Sequence, residues 1–205
     1  FAARFAEEKG VKYLIDSIPF VRAKIPNVKY LFAGEYQNVM GENVWKRLQP
    51  QIQQYREYLE FLGALPGNER GNFCGACDVL TVPSSNSTES FGLVQVEAML
   101  SGCPVIATNL PGVREVTRVT GMGTVVPIRD ARALADAIVA ILQNRSQYVR
   151  PRQEIAGIDI SGDWEDVLER LRQTPHTRLP VYDDELDNLI GILHMKRTAQ
   201  EFARG

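Results

Sequence analysis

The sequence predicts an α/β fold in which a parallel β-sheet is covered by helices on both faces. Short apolar segments without polar alternation recur along residues 1–150, and helix-forming stretches separate them. Strands that are buried on both faces have this unbroken apolar character, because neither side of the strand meets water. The 205 residues are enough for one large domain, or for a medium one followed by a small one.

Strands and helices alternate along residues 1–150. A truncated strand at Phe1–Arg4 comes first, and a helical stretch follows at Val11–Lys24. The later predicted strands are Val28–Gly34, Leu59–Gly63, Val79–Pro83, Val105–Thr108 and Thr124–Pro127. The later predicted helices are Asn43–Tyr58, Asn68–Ala76, one within Thr88–Met99, and Arg129–Asn144. This order predicts a doubly wound sheet.

The pattern changes near Pro151. Residues 151–205 are predicted to form a helix at Trp164–Gln173, two strands at Arg178–Tyr182 and Leu189–His194 joined by an acidic turn, and a short closing helix. This segment has 7 basic and 11 acidic residues, a net charge of −4, whereas the rest of the chain has +2. We therefore predict two domains of different origin, 1–150 and 151–205.

Composition excludes several classes of protein. The chain is 44% hydrophobic and 23% charged with a net charge of −2, and we expect no nucleic-acid partner. No apolar run approaches the roughly 18 residues of a membrane span, and the first residues do not form a signal peptide, so we expect a cytosolic protein. The chain begins with Phe1 rather than Met, and we expect it to be a piece of a longer protein.

Three cysteines, Cys74, Cys77 and Cys103, do not indicate a disulfide framework. Cys74 and Cys77 form a C-x-x-C motif, but no second pair follows, and both histidines lie far downstream. Redox or metal chemistry is one interpretation, and small buried helix residues are the favoured one. We predict no metal site.

The segment Thr88–Met99 places two carboxylates, Glu89 and Glu97, on either side of a Ser-Phe-Gly break that leads into a helix. In a doubly wound sheet, ligands bind outside the carboxyl ends of the strands, where loops lead into helix N-termini. The unpaired N–H groups and positive dipole of such a terminus suit a phosphate. The amides expected to face it are those of Phe91, Gly92 and Leu93.

Carboxylates beside a phosphate would repel it, so Glu89 and Glu97 are better explained as acceptors for hydroxyl groups. A sugar nucleotide supplies both a diphosphate and two sets of vicinal hydroxyls. Arg4 and Lys9, in the loop after the first strand, would neutralise the diphosphate at the same edge of the sheet. The alternative is that Glu89 caps a helix and that the other three residues are surface charges.

Six groups of residues together resemble the C-terminal, donor-binding half of retaining glycosyltransferases of the GT-B fold, family 4. They are Arg4…Lys9-Gly10, Phe61-Leu62-Gly63, Asp78-Val79…Pro83-Ser84, Glu89-Ser90-Phe91-Gly92-Leu93…Glu97-Ala98, Gly102-x-Pro104-Val105-Ile106-Ala107 and Pro111-Gly112-Val113-x-Glu115. The resemblance covers roughly residues 1–150 and implies a Rossmann-like sheet. Ala3 stands where the family usually has Gly, and Gly34-Glu35-Tyr36 where it has Gly-x-Gly.

The resemblance implies a retaining hexosyl transfer from a nucleotide-diphosphate sugar, with Glu89, Arg4 and Lys9 as the catalytic residues. The two cations would stabilise the leaving diphosphate while the acceptor oxygen attacks from the same face of the sugar. Glu89 would hold hydroxyls of the transferred sugar as an orienting group rather than as a general base. Such enzymes are usually metal-independent, because cations and amides replace a divalent ion.

The resemblance also implies how the donor is bound. Glu97 would hold the ribose hydroxyls, the backbone around Leu62 and Gly63 would face the base, and the amides of Phe91–Leu93 would face the sugar and phosphates. The implied partners are a nucleotide sugar, an unidentified acceptor, and the N-terminal GT-B half that binds this acceptor. Without that half, we expect weak donor binding without turnover.

The segment Pro151–Lys196 resembles a single cystathionine-β-synthase (CBS) motif of hemolysin-like and magnesium/cobalt efflux proteins, through Thr177–Val181 and Gly191–Leu193. This resemblance implies a small α+β tail that binds adenine nucleotides when two repeats pair. A single repeat predicts self-association or docking on the first domain. Two alternatives stay open: a regulatory module that senses adenine nucleotides, and a recombined or engineered chimera without turnover.

Overall fold

The computed structural model describes most of the first 151 residues and part of the remainder. The described residues are 1–37, 39, 43–66, 69–86, 93–151, 158–159, 178–183 and 185–194. For Val119 and for the ranges after 151, only the backbone is described. The chain divides into two compact units, Phe1–Arg150 and Pro151–Gly205.

The first unit alternates strands with helices, which confirms the α/β fold class. Its strands are β1 (Tyr30–Ala33), β2 (Leu59–Gly63), β3 (Leu80–Val82), β4 (Val105–Thr108) and β5 (Gly123–Val126). Its helices are α1 (Val11–Arg22), α2 (Val44–Gln54), α3 (Glu69–Ala76), α4 (Val94–Leu100), α5 (Val113–Thr120), α6 (Ala131–Gln143) and α7 (Arg145–Tyr148), with 3-10 turns at Glu7–Lys9 and Arg56–Tyr58. The sequence pattern did not predict helices α5 and α7.

The strands of the first unit are parallel and pair in two groups, β1 with β2 and β3 with β4 and β5. The predicted strand at Phe1–Arg4 is shorter than expected, because only Ala2 forms a bridge, parallel to Ala33 of β1. Strand β4 is buried along its whole length, as its apolar sequence predicts. Loops that follow parallel strands leave from the same edge of the sheet, so the predicted site residues are carried toward one edge.

An aromatic cluster fixes the loop that follows Ala2. Phe5 is almost completely buried, and its ring meets those of Phe32 and Phe61 at centroid distances of 5.4 and 5.9 Å. Phe32 and Phe61 stack at 5.0 Å across β1 and β2. Burying rings of this size dominates local packing energy, so the backbone on either side of Phe5 has little freedom.

Gly10 brings this loop onto the end of β3. Its φ angle is +67°, and a Cβ atom built there would overlap the carbonyl oxygen of Pro83. A side chain is therefore excluded twice, by the left-handed backbone and by the neighbouring chain. Gly10 also precedes α1, so the same residue ends the loop and starts the helix.

The second unit contains a three-stranded sheet. Strand β6 (Ile158–Asp159) is parallel to β7 (Arg178–Asp183), and β7 is antiparallel to β8 (Glu185–His194). The prediction of an acidic turn up to Asn188 was wrong in its extent, since β8 begins at Glu185 and irregular pairing beside Tyr182 absorbs the extra residues. The two predicted helices of this unit lie outside the described residues.

None of the helices in the described part of the chain combines the length and apolar character needed to cross a membrane.

Replacing Gly10 by Ala is expected to lower the free energy of unfolding by more than about 1 kcal/mol, because the left-handed backbone and the Pro83 carbonyl both oppose a Cβ atom. The matched control is Gly71→Ala in α3, where a Cβ atom would meet nothing within 4 Å. That control is expected to be neutral or stabilising by up to about 1 kcal/mol. Urea unfolding measures both changes, and equal effects would contradict the steric explanation.

Candidate functional site

Two loops meet at the carboxyl edge of the sheet, as the parallel arrangement predicts. The N–H of Ser85, in the loop after β3, donates a hydrogen bond of 2.8 Å to the carbonyl of Glu8. The hydroxyl of Ser85 donates another, of 3.1 Å, to the carbonyl of Glu7. With Gly10 packed on Pro83, these bonds hold the Lys9 loop against the end of β3.

A cavity of about 200 Å³ lies where these loops approach the start of α4. Lys9 and Leu93, two of the predicted site residues, both line it. The rest of its wall includes Ser84, which is buried and whose carbonyl accepts a 2.7 Å hydrogen bond from the Thr108 hydroxyl. The wall of the cavity thus includes a lysine residue and backbone that neighbouring elements hold in place.

Glu97 lies in the first turn of α4 and is partly buried, with 32% of its side chain exposed. Its Oε1 atom lies 3.8 Å from Nη1 of Arg70 on α3, a long contact to a half-exposed partner. Its Oε2 atom is buried and has no hydrogen-bond partner among the described residues. Buried carboxylate oxygens are normally paired, so this atom has unused capacity to accept a hydrogen bond.

Gln95 holds α4 in its orientation. It is fully buried, its amide nitrogen donates a 2.9 Å hydrogen bond to the Val113 carbonyl, and its amide oxygen accepts one of 3.1 Å from the Thr117 hydroxyl. Both partners belong to α5, so rotation of α4 would leave buried polar groups unpaired. The sequence pattern pointed to neither Gln95 nor Arg70. A polar residue within the apolar run beginning at Leu93 was the available signal for Gln95.

The other described candidates, Arg4, Leu62 and Gly63, are not among the residues that line this cavity. Arg4 is 59% exposed, and one of its guanidinium nitrogens lies 3.9 Å from a carboxylate oxygen of Glu8. Leu62 is also exposed, at the end of β2. Gly63 has a φ angle of +73°, and its carbonyl accepts a 2.6 Å hydrogen bond from the N–H of Gly34. This bond joins the carboxyl ends of β1 and β2.

Three of the predicted site residues, Glu89, Phe91 and Gly92, lie outside the described residues. Their assignments therefore remain predictions. The described residues on either side, Asn86 and Leu93, are attached to β3 and α4 respectively, so both ends of the segment are carried by the elements that line the cavity.

Cys74 and Cys103 are buried, and Cys77 is half-buried. Burial raises the pKa of Cys74 to about 11 and that of Cys103 to about 12, and it also raises the pKa of the half-buried Cys77. Raised pKa values suppress the thiolate form, which is the reactive and metal-binding one. Among the described residues, no group of three or more acidic, histidine or cysteine side chains could hold a metal ion.

The family model for "Glycosyl transferases group 1" matches residues 1–144. The chain belongs to this glycosyltransferase family. A phosphatidyl-myo-inositol mannosyltransferase of Mycobacterium leprae (strain TN) is 33% identical over 180 residues, which cover 86% of this chain and 46% of that protein. The chain thus spans less than half the length of this curated relative.

Solved structures of similar fold agree with the family. Anabaena Alr3699/HepE, crystallised with UDP-glucose, matches this glycosyltransferase with a TM-score of 0.63 and 26% identity, over 75% of this chain and 42% of the other. The C-terminal domain of a group 1 glycosyl transferase (LpcC) from Francisella tularensis matches with a TM-score of 0.63 and 23% identity, over 75% and 78% of the two chains. These neighbours support the GT-B type of fold predicted for residues 1–150.

Replacing Gln95 by Met is expected to lower the free energy of unfolding by about 2 kcal/mol, because it leaves the Val113 carbonyl and the Thr117 hydroxyl buried without this partner. Adding Thr117→Val is expected to recover part of the loss by removing one unpaired group. Urea unfolding of the two single variants and the double variant gives the coupling energy. Strict additivity would contradict the proposed network.

All three thiols of the folded glycosyltransferase are expected to react slowly with Ellman's reagent at pH 7.5. A free cysteine has a pKa of about 8.5, so a pKa of about 11 at Cys74 lowers its thiolate fraction by a factor of a few hundred. In guanidinium chloride, which unfolds the chain and exposes the thiols, all three are expected to react within the dead time of mixing. Rapid reaction of Cys74 or Cys103 in the native protein would contradict their burial, and Cys77→Ser identifies the contribution of the third.

Proposed function

We propose that residues 1–150 bind a nucleotide-diphosphate sugar and form the donor-binding half of a retaining glycosyltransferase. The observation that carries the proposal is that Glu97 Oε2 is buried and lacks a hydrogen-bond partner in the described part of the chain, on the helix α4 whose start lines the cavity together with Lys9. A diphosphate needs cations and N–H donors, and sugar hydroxyls need acceptors. Family membership supports the same assignment.

Glu97 is proposed to accept hydrogen bonds from the ribose hydroxyls. A hydroxyl near Oε2 would satisfy an oxygen that is otherwise desolvated without compensation. Arg70 lies 3.8 Å from Oε1, too far for a tight ion pair, and it leaves Oε2 open to a ligand hydroxyl. The Gln95 contacts keep α4 from turning this carboxylate away.

Lys9 and Arg4 are proposed to stabilise the diphosphate as it leaves. The loop that carries Lys9 is held on the end of β3 by the Ser85 and Gly10 contacts, so the backbone from which the lysine side chain extends is fixed before the ligand arrives. Charge stabilisation by positioned groups lowers a barrier by several kcal/mol, because it requires no reorganisation during the reaction. Glu89 is proposed to orient the transferred sugar while the acceptor oxygen attacks from the same face.

The structural neighbours support a uridine or related nucleotide as the donor carrier. Anabaena HepE, 26% identical, was crystallised with UDP-glucose, and the same protein was crystallised with UDP and glucose. The backbone around Leu62 and Gly63 is proposed to face the base. The acceptor and the transfer reaction are assigned to the longer protein, because this chain spans 46% of its mannosyltransferase relative.

Titration with UDP-, GDP- and ADP-sugars is expected to show saturable binding of at least one of them in calorimetry. Glu97→Ala is expected to weaken that binding by roughly tenfold or more, because a hydrogen bond to a charged group is worth about 1.5–3 kcal/mol. Chelation by EDTA is expected to leave the affinity unchanged. The control is Asp136→Ala on α6, an exposed carboxylate 3.2 Å from the Arg132 guanidinium.

Absence of binding by all three donors, or an equal loss in both variants, would contradict the proposed site. The alternative is that residues 151–205 sense adenine nucleotides. Comparing the Tm of the chain with AMP or ATP and with nucleotide sugars distinguishes this alternative from donor binding. Stabilisation by AMP that disappears on deleting residues 152–205, without stabilisation by nucleotide sugars, would favour that alternative.

A further inference from the structure

Another cavity, of about 390 Å³, lies between α1 and α2. Its lining comes from Ala6 and Glu7 at the start of the first 3-10 turn, residues 11–13 of α1, and four residues of α2 between Val44 and Gln51. We call it the α1–α2 groove. It shares no residue with the cavity that Lys9 lines, and its volume is within the range of about 300–1,000 Å³ that is usual for small-molecule sites.

One part of the groove is an apolar floor. Ala6, Val11, Val44 and Leu48 line it, and each is at most 5% exposed because it also packs into the interior of the first unit. Packed interiors deform little, so the floor keeps its shape without a ligand. A ligand that suits the groove therefore has an apolar face of its own.

Polar side chains bridge the groove at two places. The guanidinium of Arg47 on α2 donates a hydrogen bond to the carboxylate of Glu7 in the 3-10 turn. The amide nitrogen of Gln51 on α2 donates one of 2.7 Å to Oδ1 of Asp16 on α1, and the ammonium of Lys12 donates to Oδ2 of the same carboxylate. Each polar side chain of this rim is thus held by a partner on a neighbouring element or turn.

The charges around the groove balance. Each of its two described cations has a carboxylate partner, Glu7 for Arg47 and Asp16 for Lys12. A phosphate or nucleotide would have to separate these pairs or lie beside their carboxylates, and like charges repel. The described rim therefore favours a neutral ligand, unlike the cavity lined by Lys9, for which a diphosphate is proposed.

The rim still has hydrogen-bonding capacity. A guanidinium has five N–H donors, and one bond from Arg47 to Glu7 leaves others for a ligand. The amide of Gln51 adds an acceptor oxygen and a second N–H donor, and the half-buried Tyr13 adds a hydroxyl that can do both. Donors and acceptors around an apolar floor match a pyranose sugar, whose C–H face is apolar and whose hydroxyls both donate and accept.

We propose that the α1–α2 groove binds a neutral carbohydrate, with the C–H face of one ring on the apolar floor and its hydroxyls bonded to Arg47 and Gln51. This site is separate from the donor site and does not rest on the function proposed for it. The ligand would contact the 3-10 turn through Glu7, two residues before Lys9 of the other cavity. A free sugar and a sugar residue of a glycan chain would present the same chemistry.

The test is a titration of the full chain, followed through its backbone amide signals in NMR, with methyl α-D-mannopyranoside, methyl α-D-glucopyranoside and maltose. At least one of them is expected to cause saturable shifts at Lys12, Arg47 and Gln51. Arg47→Met and Gln51→Leu are each expected to weaken this binding by roughly two- to tenfold, as the loss of one hydrogen bond does. Tighter binding of maltose would identify a glycan chain, and equal binding a single sugar; either result supports the site.

The matched control is Arg132→Met on α6, because Arg132 is an equally exposed arginine paired with a carboxylate, that of Asp136. This variant is expected to bind the sugars as the unchanged chain does. Glu97→Ala is also expected to bind them unchanged, so a failure of the proposed donor site leaves this test intact.

Absence of saturable shifts with all three sugars would overturn the proposal, and so would an equal loss of affinity in Arg47→Met and Arg132→Met. Inorganic phosphate is expected to cause no saturable shift at Lys12 or Arg47. Saturable binding of phosphate at these two residues would contradict the argument from balanced charges and would make the groove an anion site. The Tm of Arg47→Met is expected to stay close to that of the unchanged chain, because exposed ion pairs contribute little to stability.

Discussion

The contact between Gly10 and the Pro83 carbonyl is the constraint on which the arrangement of the cavity depends. It lets two backbones touch, so the loop after Ala3 lies directly on the end of β3. The Ser85 hydrogen bonds hold the same two loops together from the other side. Phe5, buried in the aromatic cluster, prevents the loop from sliding. Packing and backbone contacts therefore fix the backbone of the loop that carries Lys9.

A second constraint sets the orientation of α4. The helix is short, and its own hydrogen bonds would stabilise it little in isolation. Gln95 attaches it to α5 through two buried hydrogen bonds, and these fix the rotation of the helix that carries Glu97 beside Arg70 of α3. The site thus combines a cation placed by backbone contacts with a carboxylate placed by a buried amide. Neither placement requires a ligand, which is the condition for electrostatic stabilisation without reorganisation.

The pattern of apolar residues along the sequence predicted the strands and most helices, because polar residues, Gly or Pro mark where each apolar run ends. The bounds of strand β4 were predicted to the residue, since Pro104 and Asn109 delimit it. Helix α5 was missed because its Val-Arg-Glu-Val sequence is polar and β-branched, and its stability comes from packing. The divided sheet and the Arg70 contact were not predictable, because they depend on which elements meet in space.

At Gly10 and Gly34, the need for a residue without a side chain could be mistaken for a role in ligand binding. Both have positive φ angles, and a Cβ atom at either would overlap a carbonyl oxygen of a neighbouring segment, Pro83 or Ala3. In a library of variants screened for donor binding, replacements at Gly10 would lower the signal by destabilising the fold, just as the loss of a ligand contact would lower it. Ranking positions by intolerance alone would place this glycine among the residues that handle the ligand, although it only makes room for a crossing chain.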